Sequence, residues 1–427
     1  VNLFVEPASF LSKVKSKQDS YSFVDSVMAT PLPTYGFDYS LVRNPDIDTA
    51  YNALITYVIP GSPAAQAGLE RGDWIMKVDT SYISKKYETY LLQGTKAVKL
   101  TLGEWKEVEI EDEEDGNEGG DGEDEGPMME YRVVPIDDPV EMPAAQIVED
   151  NPVHKYEIIE SPVKKIRVGY LMYNSFTAGT KAEPEKYNNE LRSVSQKFKE
   201  AGVQAVILDL RYNEGGSMDC VQLLGTILTS ADRLGEPMAY LEYNDKNTDK
   251  DATILFGTDR EINLNLHSLI AITSGTTMGA PEMLIRSLFL EDTYPIATVG
   301  SSTKGQNVAT EQFINEEFLW SVNPVVCTVY NSQHDTYGAI SPATDLKVSE
   351  TTIDGSTNYS EFLPFGTFDK DGKSERLLKI AIGVLDGTYP PKDDETPEES
   401  TTQTRFKVEK SVSSPASRRF SSKGLRL

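Results

Sequence analysis

The sequence predicts an α/β protein of more than one domain, and three observations carry that. Residues 160–390 alternate short apolar runs with amphipathic stretches, the rhythm of a sheet layered with helices. Residues 35–145 carry strand-like runs punctuated by Gly and Pro. The 427 residues exceed one ordinary domain, and a 39% hydrophobic content with 15 Phe, 21 Tyr and 3 Trp suffices for packed cores, which excludes a wholly disordered chain.

In chain order, residues 1–34 are expected to form a short N-terminal helical segment, 35–145 a first domain, 146–389 a second and 390–427 a mostly disordered tail. Within the first domain, Lys106–Ile110 and Tyr131–Val134 alternate like strands. Between them, Glu111 to Gly126 holds ten acids, five Gly and no apolar residue, so it reads as a solvated insertion at a hairpin tip. In the second domain, Val168–Tyr173 is a predicted strand. Lys186–Ala201 is a helix with Tyr187, Leu191, Val194 and Phe198 on one face and Gly202 closing it. Val203–Leu210, Leu269–Thr273, Ile296–Val299 and Phe318–Tyr330 read as strands; Cys220–Leu228, Glu282–Phe289 and Glu375–Leu385 read as helices. The tail carries seven basic residues against one acidic from Arg405 onward, with many Ser. It is expected to be solvated, with docking on an acidic surface as the alternative.

Charge and cysteine content narrow the function classes. The net charge of −26 argues against nonspecific nucleic-acid binding. No run approaches the roughly 20 apolar residues of a membrane helix. Cys220 and Cys327 make no disulfide framework and are expected as buried free thiols. Three His and two Cys lack zinc-ligand spacing, the acidic run fits no EF-hand, and no cofactor is expected. The chain starts at Val1, which suggests a removed leader or a trimmed terminus.

From Ser62 to Asp79 the chain reads SPAAQAGLERGDWIMKVD. Pro63 suits the first turn of a short helix that Gly68 ends. Gly72-Asp73 turns into a strand whose Ile75 and Val78 face the core. The string resembles the bacterial form of the PDZ domain, which implies peptide capture by strand addition at a sheet edge. By that resemblance Tyr35-Gly36-Phe37 forms the carboxylate loop, with Phe37 lining the pocket. Lys86–Gln93 forms the groove helix and offers Tyr87, Tyr90 and Leu91.

Asp209 to Gly216 reads DLRYNEGG after a buried strand, a place where backbone amides can face a ligand. With Gly169-Tyr170-Leu171 and Phe176, Val299-Gly300-x-x-Thr303-x-Gly305, and Ser341-Pro342, it resembles the C-terminal processing peptidases, or tail-specific proteases. The resemblance spans Tyr35 to Thr388. It implies a crotonase-like (ClpP-like) spiral core, a Ser-Lys dyad and an oxyanion hole built here from Gly215, Gly216 and Ala280. It also implies a periplasmic, envelope or extracellular location.

The sequence departs from that pattern at both reacting positions. Thr277-Met278-Gly279-Ala280-Pro281-Glu282 places Gly279 where the family has its serine, and Thr303-Lys304-Gly305-Gln306 places Gln306 where it has its lysine. Glycine offers no nucleophile and glutamine no base. The expectation is a pseudopeptidase that binds polypeptides or their C-termini, with Glu282 kept as an orienting acid. Two alternatives remain at this level. One is an active serine-type endopeptidase using Lys304 as a displaced base, with Ser274, Thr276, Thr277, Ser301 or Ser302 nearby. The other is a PDZ-mediated envelope scaffold.

Overall fold

A computed structural model of the chain describes residues 6–26, 32–110, 128–315, 317, 320–350, 352–353, 356–358, 362–389, 405–414, 416 and 423–427. The acidic run lies outside them. Its flanks are described: strands Val98–Ile110 and Met128–Pro135 pair antiparallel out to Ile110 opposite Met128, so the run does interrupt a hairpin. No helix among the described residues is long and apolar enough to cross a membrane.

The first domain is a sheet in the order 408–412, 37–43, 51–58, 74–78, 98–110, 128–135. Tyr39, Leu41, Ala53, Ile55, Ile75, Val78 and Leu100 fill its core, the period-two face that alternation along a strand produces. Pro63–Gln66 is a single helical turn whose cap Ser62 accepts a hydrogen bond from the Ala65 amide at 3.2 Å.

In the second domain a five-stranded sheet runs in the order 296–300, 269–273, 205–209, 167–173, 153–160. All neighbours are parallel except the 153–160 edge. Strands 205–209 and 269–273, apolar except at Asp209 and Thr273, are covered on both faces, whereas the 153–160 edge strand is polar and partly exposed. Leu171, Tyr173, Val206, Leu208, Leu269 and Ala271 pack under helices Lys186–Glu200, Met218–Leu228 and Ala280–Leu288. Val168, Tyr170, Met172, Ile207, Ile270 and Ile272 pack on the other face, under Arg376–Asp386. Cys220 and Cys327 are free thiols in the first of these cores, pushed up to about 12 and about 11 by burial.

The expected strand 318–330 is divided at Pro324 into Trp320–Asn323 and Val325–Tyr330, since proline cannot donate to a ladder. The N-terminal segment is part helix, Pro7–Val14, and part strand: Phe23–Ser26 pairs antiparallel with Trp320–Asn323. The tail differs most from expectation. Its described parts are paired rather than disordered. Val408–Val412 forms the outer strand of the first sheet, and Gly424–Arg426 lies inside a six-stranded sheet of the second domain. A few apolar residues, Phe406, Val412 and Leu425, supply burial that average composition does not register.

Candidate functional site

The D-L-R-x-N-x-G-G stretch is built around a buried charge cluster. Arg211 is fully buried and donates to Asp209 at 2.7 Å, Glu375 at 2.8 Å and Glu350 at 3.2 Å. Burial raises the Asp209 carboxyl. It opposes ionisation of Glu375 too, but there the Arg211 guanidinium prevails and lowers the carboxyl. Glu350 also takes Arg71 of the first domain at 3.0 Å, and both guanidinium groups lie over the Phe365 ring. The cluster thus ties the end of strand 205–209 to the last helix and to the first domain. Asn213 then shapes the turn. Its side-chain amide donates to the Tyr173 carbonyl at 2.8 Å, and its oxygen accepts from the Gly215 amide at 3.0 Å.

That last bond corrects one expectation: the Gly215 amide is already engaged and is not an open oxyanion donor. Gly215 instead serves close approach. A methyl group there would lie 1.8 Å from the Gly424 carbonyl oxygen. Gly216 and Ala280 keep positions in the cleft wall, Gly216 in the strand Gly215–Ser217 and Ala280 as the first residue of its helix.

The two departed positions meet. Gly279 and Gln306 both donate their backbone amides to Glu282 Oε2, at 2.8 and 2.9 Å. Glu282 Oε1 takes the Gly305 amide at 2.5 Å and the Thr303 hydroxyl. This carboxylate is fully buried; burial raises it, and the four donors partly offset that. Gly279 has φ 71° and ψ −101° between a strand and a helix N-terminus, a backbone that glycine adopts without strain and a side chain does not. The same kind of strand–turn–helix corner presents the nucleophile in other hydrolases. Gln306 is buried, its amide nitrogen donating to the Val308 carbonyl at 3.2 Å.

Lys304 does not enter this site. Its side chain is exposed, its backbone amide donates to Thr277 O, and its charge acts on Glu214, where burial raises the carboxyl and Lys423 and Lys304 oppose that. A base needs the desolvation that an exposed ammonium lacks. The nearby hydroxyls are turn residues. Ser274 and Thr276 donate to the Arg211 carbonyl, Thr277 donates to the Leu210 carbonyl at 2.9 Å, and the Ser302 and Ser341 hydroxyls bond each other.

The terminal strand of the tail crosses this cleft. It pairs parallel with Gly215–Ser217 on one side (Gly215 opposite Gly424) and with Val308–Thr310 on the other (Ala309 opposite Leu425). A methyl group at Gly279 would lie 2.5 Å from the Gly424 carbonyl carbon and 2.5 Å from the Leu425 nitrogen. Position 279 therefore faces a peptide bond of the chain's own tail.

The groove of the first domain is filled in the same way. Val408–Val412 runs antiparallel to Phe37–Arg43, Val412 opposite Tyr39, so the tail advances toward the 35–37 loop. Ser414 reaches that loop, its amide donating to Asp38 at 2.7 Å and its hydroxyl bonding Thr34 at 3.0 Å. The Gly36 amide is engaged by Thr34 Oγ1 at 3.1 Å. Tyr35 and Phe37 are buried in the domain core, against which Val412 packs, rather than lining an open pocket. On the groove helix, Glu88–Leu92, Leu91 packs on that core, whereas Tyr87 and Tyr90 are 52% and 75% exposed. The side chain that receives the tail strand is Glu88, which sequence reasoning missed. It accepts from Lys410 at 2.7 Å and from the Tyr39 hydroxyl.

The family model for peptidase family S41 matches residues 167–322, and the model for the PDZ domain matches 54–101. A crystal structure from Bacteroides fragilis NCTC 9343, assigned as an S41 protease, is 39% identical, with 90% of this chain and 91% of that chain covered and a TM-score of 0.74. The chain belongs to peptidase family S41. It joins a PDZ domain to an S41 peptidase core in a mixed α/β fold that is mostly sheet. A photosystem II D1 C-terminal processing protease is also similar, at 16% identity over 80% of each chain with a TM-score of 0.41. No curated protein is matched. Within the S41 core the cleft is the meeting place of residues 215–217, 279–282 and 303–310, and the PDZ groove lies between Phe37–Arg43 and Glu88–Leu92.

Proposed function

We propose that this S41 family member binds polypeptides through its PDZ groove and its cleft and does not cut them. The observation that carries the reading is the convergence of Gly279 and Gln306 on one oxygen of Glu282. The scaffold that would align a dyad is present, and neither position holds a reacting group. Loss of the nucleophile alone costs about 10⁶ in turnover in a serine peptidase, by analogy with subtilisin. Strands Gly215–Ser217 and Val308–Thr310, which pair with residues 424–426 of the chain's own tail, can hold an extended chain by backbone pairing. Exposure of Lys304 speaks against a displaced base.

The test is a titration with a fluorescently labelled unfolded polypeptide, followed by mass spectrometry of the same sample. Saturable binding with the ligand recovered whole supports the reading. Absence of binding, or recovery of fragments, contradicts it.

A further inference from the structure

We propose that the chain's own basic C-terminal segment is the resident ligand of both peptide sites, and that an incoming polypeptide binds by displacing it. This rests on the peptide-binding reading above and adds the ligand's class: a basic segment that lays one strand, 408–412, in the PDZ groove and a second, 424–426, in the cleft.

The groove contacts are those of a ligand. The segment pairs by strand addition and runs toward the carboxylate loop, the direction a bound terminus takes. Phe406 anchors it among Trp74, Trp105 and Phe362, with ring centroids 5.2 Å from Trp74 and 5.7 Å from Trp105. Lys410 meets the buried Glu88, and Ser414 closes on the loop through Asp38 and Thr34. Residues 424–426 of the same segment lie in the cleft.

In the cleft the last residues are bound as a substrate strand would be. Gly424 donates to the Glu214 carbonyl at 2.6 Å, Leu427 donates to the Thr310 carbonyl at 3.0 Å, and the Thr310 hydroxyl reaches the Leu425 carbonyl at 3.2 Å. Leu425 is 1% exposed in the main core. Lys423 lies 5.3 Å from the centre of the Phe23 ring and lowers the Glu214 carboxyl, against the larger, raising effect of burial. Gly424 has φ +75°, and a side chain there would meet Gln306 at 2.2 Å. The cleft therefore asks for a small residue at the 424 position and buries an apolar one at the next.

Two further observations fit. From Arg405 onward the tail has seven basic residues against one acidic, while the whole chain has a charge of −26, so attraction to the body is built in. The Gly424–Leu425 bond faces position 279. With serine and lysine at the dyad positions, that bond would stand before the nucleophile. With glycine and glutamine it persists, and the tail stays whole as a ligand.

Hydrogen–deuterium exchange read by mass spectrometry on the full chain tests this without any added peptide. The amides of 408–412 and 424–427 should exchange about tenfold or more slowly than in a synthetic peptide of residues 405–427. Lys410→Glu should release the groove strand, and Gly424→Arg the terminal strand. Lys410→Glu alters an exposed side chain, so it keeps the test alive where Gly424→Arg fails to fold. Exchange at the free-peptide rate in the unmodified chain overturns the proposal, as does protection that neither substitution alters. The synthetic peptide, added in trans, should bind the two variants at least about tenfold more tightly than the unmodified chain. A protected, variant-sensitive tail with no peptide binding in trans would leave the resident tail established and remove the broader polypeptide-binding function.

Discussion

The PDZ groove and the S41 cleft hold the same tail in opposite ways. In the groove the tail strand adds to an open edge, antiparallel, with three of its five side chains exposed. In the cleft it is inserted between two strands, parallel to both, with Gly424 and Leu425 buried. An edge strand can leave while its sheet stays whole, whereas an inserted strand must be released by two neighbours and a core. The groove keeps a charged recognition group in Glu88. The cleft has glycine at 279 and glutamine at 306, both held on Glu282 by their backbone amides. The groove should thus release the tail more readily than the cleft does.

The largest way to break this contrast is to remove what the two regions share. Arg211→Ala leaves Asp209 and Glu375 buried without their partner and should cost about 3–5 kcal/mol in denaturant unfolding. The Arg71–Glu350 contact should loosen with it, coupling a defect in the cleft to the groove. Arg71→Ala, by contrast, leaves the buried Arg211 pairs with Asp209 and Glu375 whole and should cost less in the same measurement.

Gly279→Ser acts on the cleft alone. The positive φ at this corner and the 2.5 Å approach of the tail should make it destabilising by about 1–3 kcal/mol, with faster exchange of the 424–427 amides. Restoring activity requires Gln306→Lys as well, and the pair should exceed the sum of the single changes because the groups act as a unit.

Glu282 sharpens the comparison through pH. Burial raises its carboxyl above the ordinary value. The folded state therefore binds its proton more readily than the unfolded state. The stability it contributes is fully present below the unfolded value and falls as pH rises through the raised one. Glu282→Gln should remove that slope from a plot of unfolding free energy against pH while leaving the groove's exchange behaviour unchanged.

The smallest effect concerns the acidic run between strands 98–110 and 128–135. Replacing 111–126 by a short Gly turn should change stability by about 1 kcal/mol or less, read by thermal unfolding. A collapse of stability would show that the run is structural.

Local patterns made much of the architecture legible. The SPAAQAGLERGD string marks a capped turn, the apolar runs a sheet covered on both faces, and the alternating flanks a hairpin. The convergence of 279 with 306 was also legible, because each sits in a motif with a fixed register. Contacts between distant segments were not. Glu88, on a helix whose two tyrosines drew attention, receives a lysine 322 residues away. The tail read as solvated because Ser and basic residues dominate it, while three separated apolar side chains decide where it packs. Phe37, expected to line a pocket, and Tyr35, expected in the carboxylate loop, are buried in the domain core, since a pattern alone does not show which side of a strand the tail will cover.

The most direct test of the central claim is to incubate the full, unmodified chain with unfolded casein and analyse the products by mass spectrometry. The account predicts casein recovered whole and no labelling by serine-directed phosphonates, since Gly279 has nothing to modify. Clear turnover, abolished by Lys304→Ala, would contradict it and establish a displaced base in the cleft.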